Sequence, residues 1–273
     1  MPREKIFNVP GIVLALIAAF ASVHGVREYL LSDSQDARVL QRFAFVPAQL
    51  SYVFDPDGLA DIFAGGLRGR AQESAARFWL GDGRLQWWTP LTYAFLHADW
   101  VHTGVNSVWM LAFGTPVARR MGGPRFLVLF ALTAIAGAAL HFALHRFELS
   151  PVVGASAAVS GAMAAACRFV FQPGGPLGDG FNFGSGDAQA YNQPAVRVLR
   201  ALTSGRTMPF IVLWFAVNFL FGYAAPLGIS DNPIAWEAHV GGFLAGLFLF
   251  DLFDPVRGKP PLRPMGDDGV LHR

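Results

Sequence analysis

The chain has 273 residues, of which 53% are hydrophobic and only 15% charged, with a mean hydropathy of +0.39 and a formal net charge of +2. Soluble domains carry about 25% charged residues, and the deficit here is spread over several long apolar runs, which excludes an ordinary soluble domain. The small net charge gives no argument for nucleic acid as a partner. A single cysteine, Cys167, lies in an apolar run beside Arg168; it excludes a disulfide framework and a cysteine-based metal site and reads as a buried structural thiol.

Six stretches approach the length of about 20 residues that crosses a bilayer. In chain order they lie near Val9–Val23, Pro90–Val117, Phe126–Phe147, Val152–Phe171, Pro209–Ala225 and Ile234–Phe253. The first is short and extends through His24 and Val26. Its Ala19-Phe20-Ala21, after a basic start, resembles a signal-peptidase site, but five further spans make a retained signal anchor the simpler reading. Arg3 and Lys5 precede the first span. Arg119, Arg120 and Arg125 follow the second, Arg197, Arg200 and Arg206 follow the fourth, and Arg257, Lys259 and Arg263 follow the sixth. The short connections on the other side carry only Arg146, and none around Asp231. Because cytoplasmic loops collect Lys and Arg, the sequence predicts an all-α, six-transmembrane-helix bundle with both termini cytoplasmic.

Four regions follow from this: residues 1–30 as N-terminus and first span, 31–89 as an extracytoplasmic loop, 90–253 as a core holding spans two to six, and 254–273 as a flexible cytoplasmic tail. The loop carries amphipathic pieces at Leu59–Ala64 and Ala71–Leu80, with Trp79, Trp87 and Trp88 near its end. Such pieces fit an interfacial helix lying flat or a solvated loop. Gly174–Gly186 reads as a flexible cytoplasmic loop, and the segment after Pro260 as disordered.

A polar side chain deep in hydrocarbon is a functional hypothesis by default. The second span holds His97, Asp99, His102 and Asn106, the fourth Ser156 and Ser160, the sixth Glu237 and His239. Spans two, four and six run in the same direction. Ser156 and His239 each fall about five residues into their helices, roughly 6–8 Å below the outer end. His102 and Asn106, four apart, share a helix face, whereas His97 is five from His102 and points elsewhere. Glu237 points away from His239 and cannot easily orient it, so the residues offer a Ser–His pair with no third carboxylate. The run Gly154-Ala155-Ser156-Ala157-Ala158-Val159-Ser160-Gly161-Ala162 is nearly all small, and Gly242 and Gly246 share the His239 face. Small residues let membrane helices approach closely. They also serve packing alone, with Ser156 bonded to its own helix backbone. In the chemical reading, His239 takes the proton of Ser156. His102, Asn106 and the Ser156 backbone N–H stabilise an oxyanion, and Gly154 lets the backbone bend.

These residues resemble the rhomboid family of intramembrane proteases over roughly Trp88 to Phe253. The pattern His97, His102, Asn106 is similar to the family's second helix. Gly154-Ala155-Ser156 resembles its G-x-S motif, and His239-Val240-Gly241-Gly242 with Gly246 its sixth helix. The resemblance implies a serine endopeptidase that cuts a peptide bond in or beside the transmembrane helix of a membrane-protein substrate, favouring small, helix-destabilising residues. It implies Ser156 as nucleophile and His239 as general base, His102 and Asn106 as oxyanion stabilisers, and His97 as structuring the site, with no cofactor and no metal. The partners are then transmembrane substrates and the lipid bilayer. Ala157 stands where the family has a second glycine, Ser160 where an aromatic often packs on the histidine, and Trp88-Thr89 where it has Trp-Arg.

The remaining polar residues take plainer readings. His141 and His145, four apart in the third span, form a metal pair only with further ligands nearby and are read as boundary histidines. Asp99 is placed at the hydrated outer rim, and Arg168 snorkels. Two other functions compete: a catalytically inactive rhomboid-like binder of membrane helices, which would typically lack the serine or histidine present here, and a small transporter, which would often show interrupted helices and repeated halves that the sequence does not. A short soluble portion and the lack of an organelle-targeting signal point to a bacterial plasma (inner) membrane.

Overall fold

The computed structural model describes residues 9–55, 57, 70–177, 190–224 and 235–256. Among them, α1 spans Gly11–Leu30, α2 Asp33–Phe43, α3 Pro47–Phe54 and α4 Arg70–Leu80. A short α5, Thr89–Thr92, tightens into a 3₁₀ turn at Tyr93–Phe95. Next, α6 (Trp100–Trp109), a π-helical segment (Met110–Gly114) and α7 (Thr115–Met121) run on as one rod. The remaining helices are α8 (Gly123–Leu144), α9 (Ser156–Cys167), α10 (Val198–Thr203), α11 (Met208–Ala224) and α12 (Trp236–Phe253). The one pairing of extended backbone among the described residues joins Phe45 to Val152.

Local chemistry explains the boundaries. Ser32 and Gln35 form a reciprocal capping box at the start of α2. Asp99 caps α6, its Oδ1 accepting the His102 backbone N–H at 2.7 Å. Gly122, at φ 79°, turns the chain from α7 into α8. By length and composition α1, α8 and α12 are long and apolar enough to cross a membrane. Leu14, Val128, Leu132, Ile135, Val212, Leu213, Phe248 and Leu252 stay exposed on the helices. Apolar surface spread along several helices is what a lipid solvent stabilises and water does not.

The bundle is organised around α9, in which every residue from Ala157 to Cys167 is buried. It packs on α12, on α8 and on the α6–α7 rod. Glycine sets these distances. A Cβ on Gly242 would fall 2.0 Å from the Ala157 carbonyl oxygen, and one on Gly246 2.0 Å from that of Gly161. The matching four-residue steps make α9 and α12 parallel neighbours in backbone contact. A Cβ on Gly137 of α8 would lie 2.6 Å from the Ala238 carbonyl oxygen. No larger residue fits at these three crossings without moving a helix.

Several expectations change. The second apolar stretch is not one helix from Pro90: the rod begins at Trp100, and Asp99, exposed as expected of a rim residue, is its cap. The fourth stretch is helical only from Ser156, because Gly154 at φ 118° interrupts it. Arg168 does not snorkel; it is buried and bonds Asp251 at 2.8 Å and the carbonyls of Val196 and Leu247. Arg120, counted above as a loop charge, is a buried partner of Asp254 at 2.8 Å. Of the predicted loop, Arg70–Leu80 is helical, and so are two segments not expected, α2 and α3. Leu59–Ala64, the Gly-rich loop beyond residue 177 and the segment after Pro260 lie outside the described residues.

Candidate active site

Ser156 is the first residue of α9 and His239 the fourth of α12. The contacts of Gly242 with Ala157 and of Gly246 with Gly161 put Ser156 about level with Gly241, two residues or about 3 Å along α12 from His239. That level is about 8 Å from the first residue of α12. The depth arises because α9, with 12 residues, is short, not because the serine sits several residues inside it. Both side chains are half-buried. As the first residue of its helix, Ser156 also lies among backbone N–H groups that have no intrahelical acceptor.

The chain entering Ser156 is held from three directions. Val152 exchanges backbone hydrogen bonds with Phe45 at 2.8 and 3.1 Å, the Gly154 N–H donates to the Tyr93 carbonyl at 3.0 Å, and the Ala155 N–H makes a long contact with His97 Nε2 at 3.5 Å. A Cβ on Gly154 would lie 2.7 Å from both Cε1 and Nε2 of His102 and 3.7 Å from Asn106 Nδ2. His102 and Asn106 therefore line the bend that leads to the serine. His102 Nδ1 faces the Ala98 N–H at 3.4 Å, which leaves its proton on Nε2, the nitrogen turned toward Gly154. Asn106 spends one amide hydrogen on the His102 carbonyl at 3.1 Å and keeps the other.

His97 precedes the helix, so the helical spacing that turned it away from His102 does not apply. The two rings meet edge to face with centroids 5.1 Å apart. His97 is fully buried, and Arg27 of α1 donates to its carbonyl at 2.7 Å while pairing with Asp36. Glu237 turns from His239 and reaches His145 Nε2 at 2.8 Å.

The residue that faces the imidazole of His239 is Asn218 of α11. Asn218 Nδ2 donates to the Trp214 carbonyl at 2.8 Å, which fixes the amide orientation and leaves Oδ1 facing His239 Nδ1 as an acceptor. His239 therefore carries its proton on Nδ1 and a lone pair on Nε2. Asn218 is not among the polar residues singled out from the sequence. A lone amide in an otherwise apolar span is the signal that would have found it.

Compared with known proteins, residues 84–253 match the profile of the Rhomboid domain. The chain belongs to the rhomboid family. It is similar to Rhomboid protease GluP of Bacillus subtilis (strain 168), 27% identical over 163 residues that make up 60% of this chain and 25% of that protein. It is also similar to Rhomboid-like protease 3 of Toxoplasma gondii, 37% identical over 165 residues, 60% of this chain and 51% of that one. The chain thus spans about a quarter and about half of the two relatives it matches. Family and apolar helices together make it an integral membrane protein.

Against the rhomboid pattern the three departures have structural counterparts. Ala157 lies where Gly242 of the neighbouring helix supplies the close approach. The Ser160 hydroxyl donates back to the Ser156 carbonyl at 2.7 Å. Beside Thr89, Trp88 Nε1 donates to the Arg42 carbonyl at 2.8 Å and the Arg42 guanidinium lies 5.5 Å over its ring, so α2 is tied to α5 without the arginine of the usual pair.

Proposed function

We propose that this rhomboid is an intramembrane serine endopeptidase with Ser156 as nucleophile and His239 as general base. Ser156 Oγ attacks the substrate carbonyl carbon as its proton passes to His239 Nε2. The tetrahedral oxyanion is held by His102 Nε2–H, the free Asn106 amide hydrogen and the N–H groups opening α9. The intermediate collapses, the C–N bond breaks, and the amine leaves with the proton from His239. Water, deprotonated by the same nitrogen, then hydrolyses the acyl-enzyme.

The observation that carries this reading is the hydrogen bond of His239 Nδ1 to Asn218. A histidine that accepts a proton on Nε2 needs its other nitrogen protonated and held, and the amide of α11 does both. In this reading the base is oriented by Asn218 rather than by an aromatic ring at position 160, and His97 and Gly154 hold the chain that presents the serine. In this reading α1, the α6–α7 rod, α8, α9, α11 and α12 are six spans, with both termini cytoplasmic in a bacterial plasma membrane. Substrates are transmembrane helices with small, helix-destabilising residues.

A reporter bearing a cleavable membrane helix tests the proposal. Ser156→Ala and His239→Ala should each abolish cleavage with expression and melting unchanged, and a fluorophosphonate should label wild type but not either variant. Cleavage by both variants at the wild-type rate overturns it. A wild type that neither cuts nor labels, yet captures the reporter helix, points instead to an inactive binder.

A further inference from the structure

The polar groups at the other face of α12 form a second cluster. His141 and His145, one turn apart at the end of α8, stack with centroids 4.9 Å apart. Glu237, in the first turn of α12, places Oε1 2.8 Å from His145 Nε2 and Oε2 3.6 Å from His141 Nδ1. One donor atom from each of the three residues lies within 4.8 Å of the others. Glu148, just past α8, approaches from the remaining side, its Oε2 3.5 Å from His145 Nδ1 and 3.7 Å from His141 Nε2. The expectation of isolated boundary histidines rested on a lack of further ligands. The fold supplies two.

We propose that His141, His145 and Glu237 bind a divalent cation of the zinc type, with Glu148 as fourth ligand or as neighbour to a bound water. Three observations converge. The His141 ring is only 4% exposed and neither of its nitrogens makes a hydrogen bond, the carboxylates of Glu237 and Glu148 standing off at 3.6 and 3.7 Å; a buried imidazole that faces two carboxylates without bonding either leaves room for an ion between them. Two imidazole nitrogens and one carboxylate are a donor set that suits zinc, which bonds nitrogen at about 2.0–2.1 Å and so separates neighbouring ligand atoms by about 3.4 Å. Glu237, 10% exposed, and Glu148, 32% exposed, bring two carboxylates to a half-buried cluster, and a doubly charged ion balances them. The ligands are also held in place, since Gly137, one turn before His141, lies against the Ala238 carbonyl beside Glu237. A bound ion joins the end of α8 to the first turn of α12, two residues from His239.

The test uses the full chain in detergent, stripped with EDTA and titrated with Co²⁺. Wild type should bind one equivalent with visible d–d absorption that Zn²⁺ displaces, and Zn²⁺ should raise its melting temperature. His145→Gln, at a half-exposed position, and Glu237→Gln should weaken binding at least tenfold and lose the Zn²⁺-induced melting shift. Ser156→Ala and His102→Ala should bind as wild type does. No absorption in wild type, or absorption that survives both His145→Gln and Glu237→Gln, overturns the proposal. So does its loss in His102→Ala, which would place the ion among the other histidines. None of these readouts depends on proteolysis, so the cation site and the protease reading fail separately.

Discussion

Asn218 presents its Oδ1 to His239 Nδ1 while its own amide hydrogen is bound to the Trp214 carbonyl, so one side chain of α11 fixes the tautomer of a histidine on α12. Without the acceptor, His239 is free to rotate and to move its proton to Nε2. Asn218→Ala and Asn218→Leu should both lower kcat by about 10², the order expected when a reacting group is misplaced, with KM little changed. Nitrogen chemical shifts of His239 separate this from general damage: wild type should show a single Nδ1–H form and the variants a mixture. Unchanged kinetics in both variants would remove Asn218 from the site.

Gly154 joins two demands in one position. Its φ of 118° is strained for any side chain, and a Cβ would strike the His102 ring. Gly154→Ala should destabilise the protein by about 2 kcal/mol and reduce cleavage by more than its loss of folded material explains. Gly104, in the helical rod with nothing within 4 Å of its Cβ position, is the control. Gly104→Ala should be stabilising by about 1 kcal/mol or neutral, with full activity. Thermal melts alongside reporter cleavage decide both.

His102 and Asn106 face the same bend, and each supplies one donor. His102→Ala and Asn106→Ala should each reduce kcat by about 10²–10³, whereas the double variant should fall short of the product if the two act on one oxygen. Steady-state cleavage in detergent measures this. Additive losses would mean that the residues serve different steps.

Arg120 and Asp254 tie α7 to the end of α12, with side chains 0% and 3% exposed, and Arg120 also bonds the carbonyls of Tyr191 and Gln193. Removing one partner strands the other. Arg120→Met or Asp254→Leu alone should cost about 3–5 kcal/mol, and the pair together much less. Equilibrium unfolding in mixed detergent gives the values, and a fully additive double variant would refute the coupling.

Much of this fold is legible in hydropathy. Gly11–Leu30, Gly123–Leu144, Met208–Ala224 and Trp236–Phe253 fall within a few residues of apolar stretches read from the sequence. Hydropathy fails where apolar chain is buried without being helical. Leu96 and His97 lie in such a stretch but form a connection covered by protein, and Gly154 and Ala155, ahead of α9, are buried in the same way. Helical spacing applied across these breaks misplaced His97 relative to His102. The small-residue pattern of α9 and α12 is readable because it repeats every four residues. Asn218 and the Glu237 cluster are not, because their partners come from other helices: His239 is 21 residues along the chain from Asn218, and His145 is 92 from Glu237. Arg168 and Asp251 illustrate the same limit, since two charges look like separate membrane-boundary residues until the helices bring them together.

The backbone leading to Ser156 is stitched to Phe45, and the carbonyl of His97 is held by Arg27. Both anchors come from the first fifty residues, ahead of the segment 84–253 that defines the family. A fragment trimmed to the family boundaries would therefore keep every residue assigned to the chemistry while losing two of the fastenings that aim the serine. Recombinant work should carry α1 to α3 intact, and relatives that share only the later segment must find other groups to do the same holding.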